Sequence, residues 1–164
     1  MREGLEDTMT TTRTLLNELA PEARRRLLEH SRPVRFPAGT RIFRERQHAD
    51  HFWIIETGRV ELDTHVPGRR NAAVDTLVGG SLLGCSWIMP PYHWHLGATA
   101  TTEVQALEFD AQAVRDLCAL DPSVGEAVFG CVAATMARRL LAARGRLLAD
   151  LMPRVGAEPL AYAR

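Results

Sequence analysis

The sequence predicts one α+β domain, mainly β, in which helices precede and follow a group of short strands. A chain of 164 residues with 46% hydrophobic residues is large enough for one domain with its own core. Between Pro33 and Asp110, Gly and Pro separate short segments of alternating polarity, which indicates a sandwich, roll or barrel. The last third has apolar residues at helical spacing and few Pro or Gly residues, which indicates a long helix.

The N-terminal part is predicted to be helical. Leucines 15, 16 and 19 recur at helical spacing, and Pro21 suits the first position of a second helix that contains Ala23, Leu27 and Leu28. We expect the folded domain to cover residues 13–152. Residues 1–12 are expected to form a flexible N-terminus, and residues 153–164 a flexible tail.

Six strands are predicted in the central part. They are Arg41–Phe43, Phe52–Ile55, Val60–His65, Ala72–Val78, His93–Thr102 and Val104–Phe109. Gly58 is expected to take the positive backbone angle of a tight hairpin between the second and third of them.

The last third is predicted to contain two helices, each with an aspartate as its N-cap. Asp110 can cap a short helix, and Asp121 followed by Pro122 can begin a long one that extends to about Leu151. Five residues of the long helix follow a seven-residue period and are predicted as a homodimer interface: Ala133, Met136, Leu140, Ala143 and Leu147. The alternative is a helix that packs only on its own domain.

Charge and composition exclude several classes of protein. The formal net charge is zero, so the chain has no overall electrostatic footprint for nucleic acid or for an anionic membrane. No apolar run is long enough for a membrane span, and a polar N-terminus favours a cytoplasmic protein. Cys85, Cys118 and Cys131 show neither metal-binding spacing nor a disulfide framework, and we expect no cofactor.

Four segments carry a resemblance to a known family. Phe36–Phe43, Asp50–Val60, Leu77–Gly84 and Ala98–Phe109 resemble, in this order, motifs of cyclic nucleotide-binding domains of the CRP/FNR type. The resemblance implies an antiparallel β-roll, or jelly roll, with N-terminal helices and a long C-terminal dimerisation helix. It also implies a non-catalytic regulatory module that senses a small molecule, such as a nucleotide, and acts in signal transduction.

The segment Gly84–His95, called the cassette below, departs from the pattern of this family. The family places a Glu for the ligand's ribose where this chain has Cys85, and an Arg for the cyclic phosphate where it has Tyr92 or His93. No Arg or Lys occurs in residues 71–114. We therefore expect a pocket without the usual cation and weak binding of cyclic AMP. The expected ligand-binding residues are Gly84, Cys85, Ser86, Trp87, Tyr92, His93 and Trp94.

Alternative functions remain open at this point. A CRP/FNR-type transcription regulator that has lost its DNA-binding domain is one, because only residues 153–164 follow the long helix. We expect no direct contact with nucleic acid and interpret Arg138, Arg139, Arg144 and Arg146 as a solvated helix face. A cupin-like metalloenzyme using His93 and His95, a redox-reactive Cys85, and a protein-interaction platform with an empty pocket are the others.

Overall fold

The computed structural model describes residues 15–152, which form an antiparallel β-roll preceded and followed in the sequence by helices. The expected flexible segments 1–12 and 153–164 lie outside the described residues. The helices are α1 (Leu15–Glu18), α2 (Pro21–Leu28), α3 (Ala111–Leu120) and α4 (Pro122–Leu151), and a 3-10 helix covers Ser86–Ile88. None of the described helices combines the length and the apolar character that a membrane crossing requires.

Within residues 15–152, eight strands form two four-stranded sheets. They are β1 (Ser31–Phe36), β2 (Arg41–Phe43), β3 (His51–Thr57), β4 (Arg59–Thr64), β5 (Ala72–Val78), β6 (Leu82–Leu83), β7 (Gly97–Ala100) and β8 (Val104–Asp110). One sheet has the order β1-β8-β3-β6 and the other β2-β7-β4-β5, and every pairing is antiparallel. Consecutive strands repeatedly change sheet, which gives the predicted roll.

Aromatic side chains fill the space between the sheets. Phe43 of β2 stacks on Trp53 of β3, with ring centroids 5.6 Å apart, and this contact joins the two sheets. Phe52 of β3 and Phe109 of β8, neighbours within one sheet, stack at 4.8 Å. Both contacts add to the free energy from apolar burial, and the contact between Phe43 and Trp53 also fixes how the two sheets face each other.

Aspartate caps begin both C-terminal helices, as predicted. Asp110 accepts a hydrogen bond from the backbone N–H of Ala113, and Asp121 accepts from Ser123 and Val124. Asp121 also pairs with Arg26 of α2. One carboxylate therefore joins the N-terminal helices to the start of α4.

Three strand assignments differ from the sequence-based prediction. β1 and β6 were not predicted, because β1 contains Pro33 at a sheet edge and β6 has only two residues. The strand expected from His93 begins at Gly97 instead. Trp94 donates its backbone N–H to Gln47 at 2.8 Å and accepts from Arg46 at 2.8 Å, so residues 93–96 follow the 46–49 loop rather than a sheet.

The hairpin between β3 and β4 supports a prediction about stability. Gly58 has a φ of +94°, and a Cβ atom there would lie 2.2 Å from the carbonyl oxygen of Glu103. Gly39 also has a positive φ, of +85°, but its Cβ would meet open space. We expect Gly39→Ala to reduce the free energy of unfolding by about 1–2 kcal/mol. Gly58→Ala adds a steric clash and should cost about 2–5 kcal/mol in urea denaturation. Equal costs would contradict the close approach to Glu103.

Candidate functional site

A cavity of about 290 Å³ lies between the cassette and α4. This volume is at the lower end of the range for small-molecule sites, about 300–1,000 Å³. Eight apolar residues and Gly84 account for most of its wall: Phe43, Leu62, Gly84, Met89, Pro90, Pro91, Trp94, Leu96 and Met136. Four further residues bring polar atoms: Cys85, Ser86, His95 and Arg139.

Four of the seven residues expected to bind the ligand line this cavity: Gly84, Cys85, Ser86 and Trp94. Trp94 is buried and stacks on Phe43, with ring centroids 4.0 Å apart. Gly84 has a φ of +87°, and a Cβ atom there would lie 2.7 Å from Cη2 of Trp94. A glycine at position 84 therefore lets the indole ring form the inner wall of the cavity.

The other three expected residues, Trp87, Tyr92 and His93, do not line the cavity. Trp87 is fully buried and stacks on Phe52 at 4.3 Å, so it is part of the roll's core. His93 is exposed and forms an isolated β-bridge with His48. For His93 the cause is the irregular path of residues 93–96, which the alternating sequence pattern did not reveal.

Arg115 of α3 holds the cassette from outside the cavity. Its Nη1 donates to the carbonyl oxygen of Trp87 at 2.6 Å, and its guanidinium carbon lies 4.2 Å from the centre of the Tyr92 ring. This hydrogen bond and cation–π contact fix the 3-10 helix and the following turn relative to α3. Sequence reasoning missed Arg115, because nothing in its local sequence indicates this contact.

The position of Arg139 in α4 shows that two expectations were wrong. The pocket does contain a cation, and the arginines of α4 do not all lie on a solvated face. Arg139 is half-buried and lies in the cavity wall. Its Nη1 donates to Sγ of Cys85 at 3.5 Å, and its Nη2 donates to the carbonyl oxygen of Leu82. The segment 71–114 indeed contains no Arg or Lys, but α4 brings one to the cavity.

The remaining polar pair of the cavity is Ser86 and His95. The Ser86 hydroxyl lies 3.3 Å from Nδ1 of His95. His95 was considered only as a metal ligand together with His93, yet His95 lines the cavity and His93 does not. Among residues 15–152, no group of three or more His, Cys, Asp or Glu side chains is arranged to hold a metal ion.

Burial raises the pKa of the Cys85 thiol, and the nearby Arg139 opposes this shift without reversing it. The thiol is therefore neutral near pH 7. This argues against the redox-reactive thiolate that was considered from the sequence. A neutral thiol also contributes no negative charge to the cavity.

Four of the five residues predicted at the dimer interface are partly or well exposed along α4. Leu140 is 70% exposed, Leu147 is 60% exposed and Met136 is 38% exposed, and Ala133 is exposed as well. Ala143 is half-buried. The first half of α4 differs, because Val124, Val128, Cys131 and Val132 are buried against the rest of the domain.

The pKa of Cys85 leads to a prediction about its reactivity. A free cysteine has a pKa of about 8.5. Because burial raises the pKa of Cys85, its alkylation by iodoacetamide should increase with pH only above that value. Peptide mass spectrometry across pH 6–10 measures this for each cysteine, with the urea-unfolded chain as the control. A midpoint below pH 8 for Cys85 would identify a reactive thiolate and contradict the prediction.

Comparison with known proteins agrees with this architecture. A CRP-like cAMP-activated global transcriptional regulator of Mycobacterium tuberculosis is 30% identical over 132 residues, which are 80% of this chain and 57% of the relative. The chain thus spans little more than half the length of this curated relative.

Solved structures also match. A cyclic nucleotide-binding domain from Methylobacillus flagellatus KT superposes with a TM-score of 0.76 at 16% identity, over 87% of this chain and 83% of that one. The catabolite activator protein of Thermus thermophilus has a TM-score of 0.66 at 24% identity, over 81% and 61%. The family model described as "Cyclic nucleotide-binding domain" matches residues 33–121, more than half of the chain. The chain therefore belongs to the cyclic nucleotide-binding domain family.

Proposed function

We propose that this domain is a non-catalytic sensing module that binds a small molecule in the cavity and transmits its presence to α4. One observation supports this above the others: α4 supplies Met136 and Arg139 to the cavity wall, while the adjacent Leu140 faces solvent. A ligand in the cavity contacts the helix that also presents the exposed apolar stripe. Its binding free energy can therefore favour one position of α4 over another.

The polar groups of the cavity support a ligand other than cyclic AMP. The lining residues include no carboxylate that could accept a hydrogen bond from a ribose hydroxyl. Arg139 is the one guanidinium among the lining residues, and part of its hydrogen-bonding capacity is used by Leu82 and Cys85. A lost hydrogen bond to a charged group costs about 1.5–3 kcal/mol, so weak binding of cyclic AMP follows from the two changed positions.

The relatives support a regulatory role. The Mycobacterium tuberculosis protein is described as a cAMP-activated transcriptional regulator. A regulatory domain needs a pocket and an element that moves, and the cavity and α4 fit these two requirements. The proposed partner of α4 is a second copy of the same chain.

Blocking the cavity tests the sensing function. A panel of nucleotides and of small aromatic and aliphatic acids is screened by thermal denaturation. A cavity ligand at 100 times its Kd should stabilise the wild type by about 2.7 kcal/mol, or about 5–10 °C in Tm. The variant Ser86→Phe, which fills the cavity, should abolish this shift in Tm.

The control variant Ala119→Phe, at an exposed position of α3, should retain the shift. Cyclic AMP at the same concentration should change the Tm little. Failure of every compound to protect the wild type, or protection that survives Ser86→Phe, would refute the function.

The dimer is proposed from the exposed apolar stripe along α4. Phe129 and Met136 are seven residues apart, as are Leu140 and Leu147, and all four side chains are partly or well exposed. Solvent-exposed apolar side chains at this spacing are typical of a helix that pairs with a second helix. Because Arg139 lies in the same segment of α4, pairing and ligand binding can influence each other.

Charged substitutions in the stripe test the dimer. The double variant Leu140→Glu with Leu147→Glu should be a monomer by multi-angle light scattering at micromolar concentration, whereas the wild type should be a dimer. The matched control is Leu141→Glu with Leu148→Glu, because these leucines are also exposed but lie outside the seven-residue stripe. A monomeric wild type, or dissociation by the control pair alone, would contradict the proposed interface.

A further inference from the structure

Arg139 is a half-buried cation whose charge no carboxylate balances. Its two hydrogen-bond partners are a thiol, that of Cys85, and a backbone carbonyl, that of Leu82. The ion pairs formed among residues 15–152 do not include Arg139. Among the other half-buried arginines, Arg26 pairs with Asp121 and Arg41 with Asp63. Arg24 and Arg115, also half-buried, form no ion pair within residues 15–152, but neither of them lines the cavity.

The residue at position 85 determines this imbalance. A glutamate there would place a carboxylate next to the Arg139 guanidinium, because the Cys85 sulfur already lies 3.5 Å from Nη1. Cysteine places a neutral group there instead, since burial raises the pKa of its thiol. A cation withdrawn from water without a counter-charge raises the free energy of the empty protein, and an incoming anion relieves that cost.

The rest of the wall restricts the ligand to a mostly apolar molecule. Met89, Pro90, Pro91 and Trp94 surround the space, and none of them offers a charged group. A flat indole ring, apolar pyrrolidine rings and a polarisable thioether pack well against an aromatic ring. A ligand that satisfies both the wall and Arg139 has one acidic group on an apolar planar body.

We propose that Arg139 binds the acidic group of a small aromatic carboxylate whose ring packs against Met89, Pro90 and Trp94. The proposal rests on the sensing function above, because it names the class of ligand for the same cavity. Arginine suits this function because its planar fork can donate two parallel hydrogen bonds to a carboxylate. An anion would also compete with the Leu82 carbonyl for the guanidinium, and binding would thus change a contact between α4 and β6.

Calorimetric titration with a matched pair of probes tests the proposal. The probes are 1-naphthoate and its neutral analogue 1-naphthalenemethanol, and octanoate and cyclic AMP are added for comparison. The wild type should bind naphthoate at least tenfold more tightly than the alcohol, octanoate or cyclic AMP. Arg139→Gln should weaken naphthoate about tenfold or more and affect the alcohol far less. Arg138→Gln should leave naphthoate binding unchanged, because Arg138 donates to the Thr135 hydroxyl and does not line the cavity.

A second variant tests the same idea without removing the arginine. Cys85→Glu supplies the missing counter-charge and should weaken naphthoate about tenfold or more. Ala119→Glu adds the same charge at an exposed position and should have no effect. Circular dichroism checks that each variant is folded, and either variant alone can decide the test.

The outcomes separate this proposal from the sensing function. Equal affinity for naphthoate and the alcohol, or naphthoate binding that survives Arg139→Gln or Cys85→Glu in a folded variant, overturns the role of Arg139. If Ser86→Phe still abolishes that binding, the cavity remains the sensing site. Tighter binding of octanoate or cyclic AMP overturns the aromatic ligand class. A wild type that binds neither naphthoate nor the alcohol overturns the proposal, and the thermal screen decides independently whether the cavity binds another molecule.

Discussion

The structure depends on the contact between the Trp94 ring and the backbone of Gly84. The indole lies where a Cβ atom at position 84 would be 2.7 Å away, and the same ring stacks on Phe43. Phe43 in turn stacks on Trp53 of the opposite sheet. This continuous aromatic stack joins the cassette to both sheets, so the position of the cavity wall follows from the packing of the core.

The long helix α4 has two parts with different surroundings. Its first half, with Val124, Val128 and Val132, is buried and holds the helix against the domain. Its second half keeps only limited contact, in which Arg139 reaches the cavity and Arg146 donates to the carbonyl oxygen of Val74 at 3.3 Å. A helix with one well-packed and one weakly packed half can change position at its free end at small cost.

Periodicity and caps predicted most of the fold. Asp121 and Pro122 indicated where α4 begins, and the Gly and Pro turn signals on either side located β5 at its observed limits of Ala72 and Val78. The two-residue strand β6 was too short to produce a pattern. The segment 93–96 was misassigned because its path depends on hydrogen bonds to the 46–49 loop, which is distant in sequence.

The candidate site was harder to predict than the fold, for a physical reason. Gly84, Cys85, Ser86 and Trp94 belong to the cassette motif itself, and they were expected at the cavity. Arg115 and Arg139 reach the cassette from helices that follow it in the sequence by tens of residues, and their helical patterns are those of ordinary solvated arginines. Only the packing of α3 and α4 brings these side chains to the site.

The single guanidinium of Arg115 has a consequence for variation in the cassette. It contacts the carbonyl of Trp87 before the proline pair and the ring of Tyr92 after it, so the two ends of this turn are a fixed distance apart. Insertions between these two residues would have to bulge outward into solvent. Substitutions that keep the length of the turn alter only the side chains of the cavity wall. Homologous chains that have this arginine contact should therefore differ in the identity of the residues in the turn and seldom in the length of the turn.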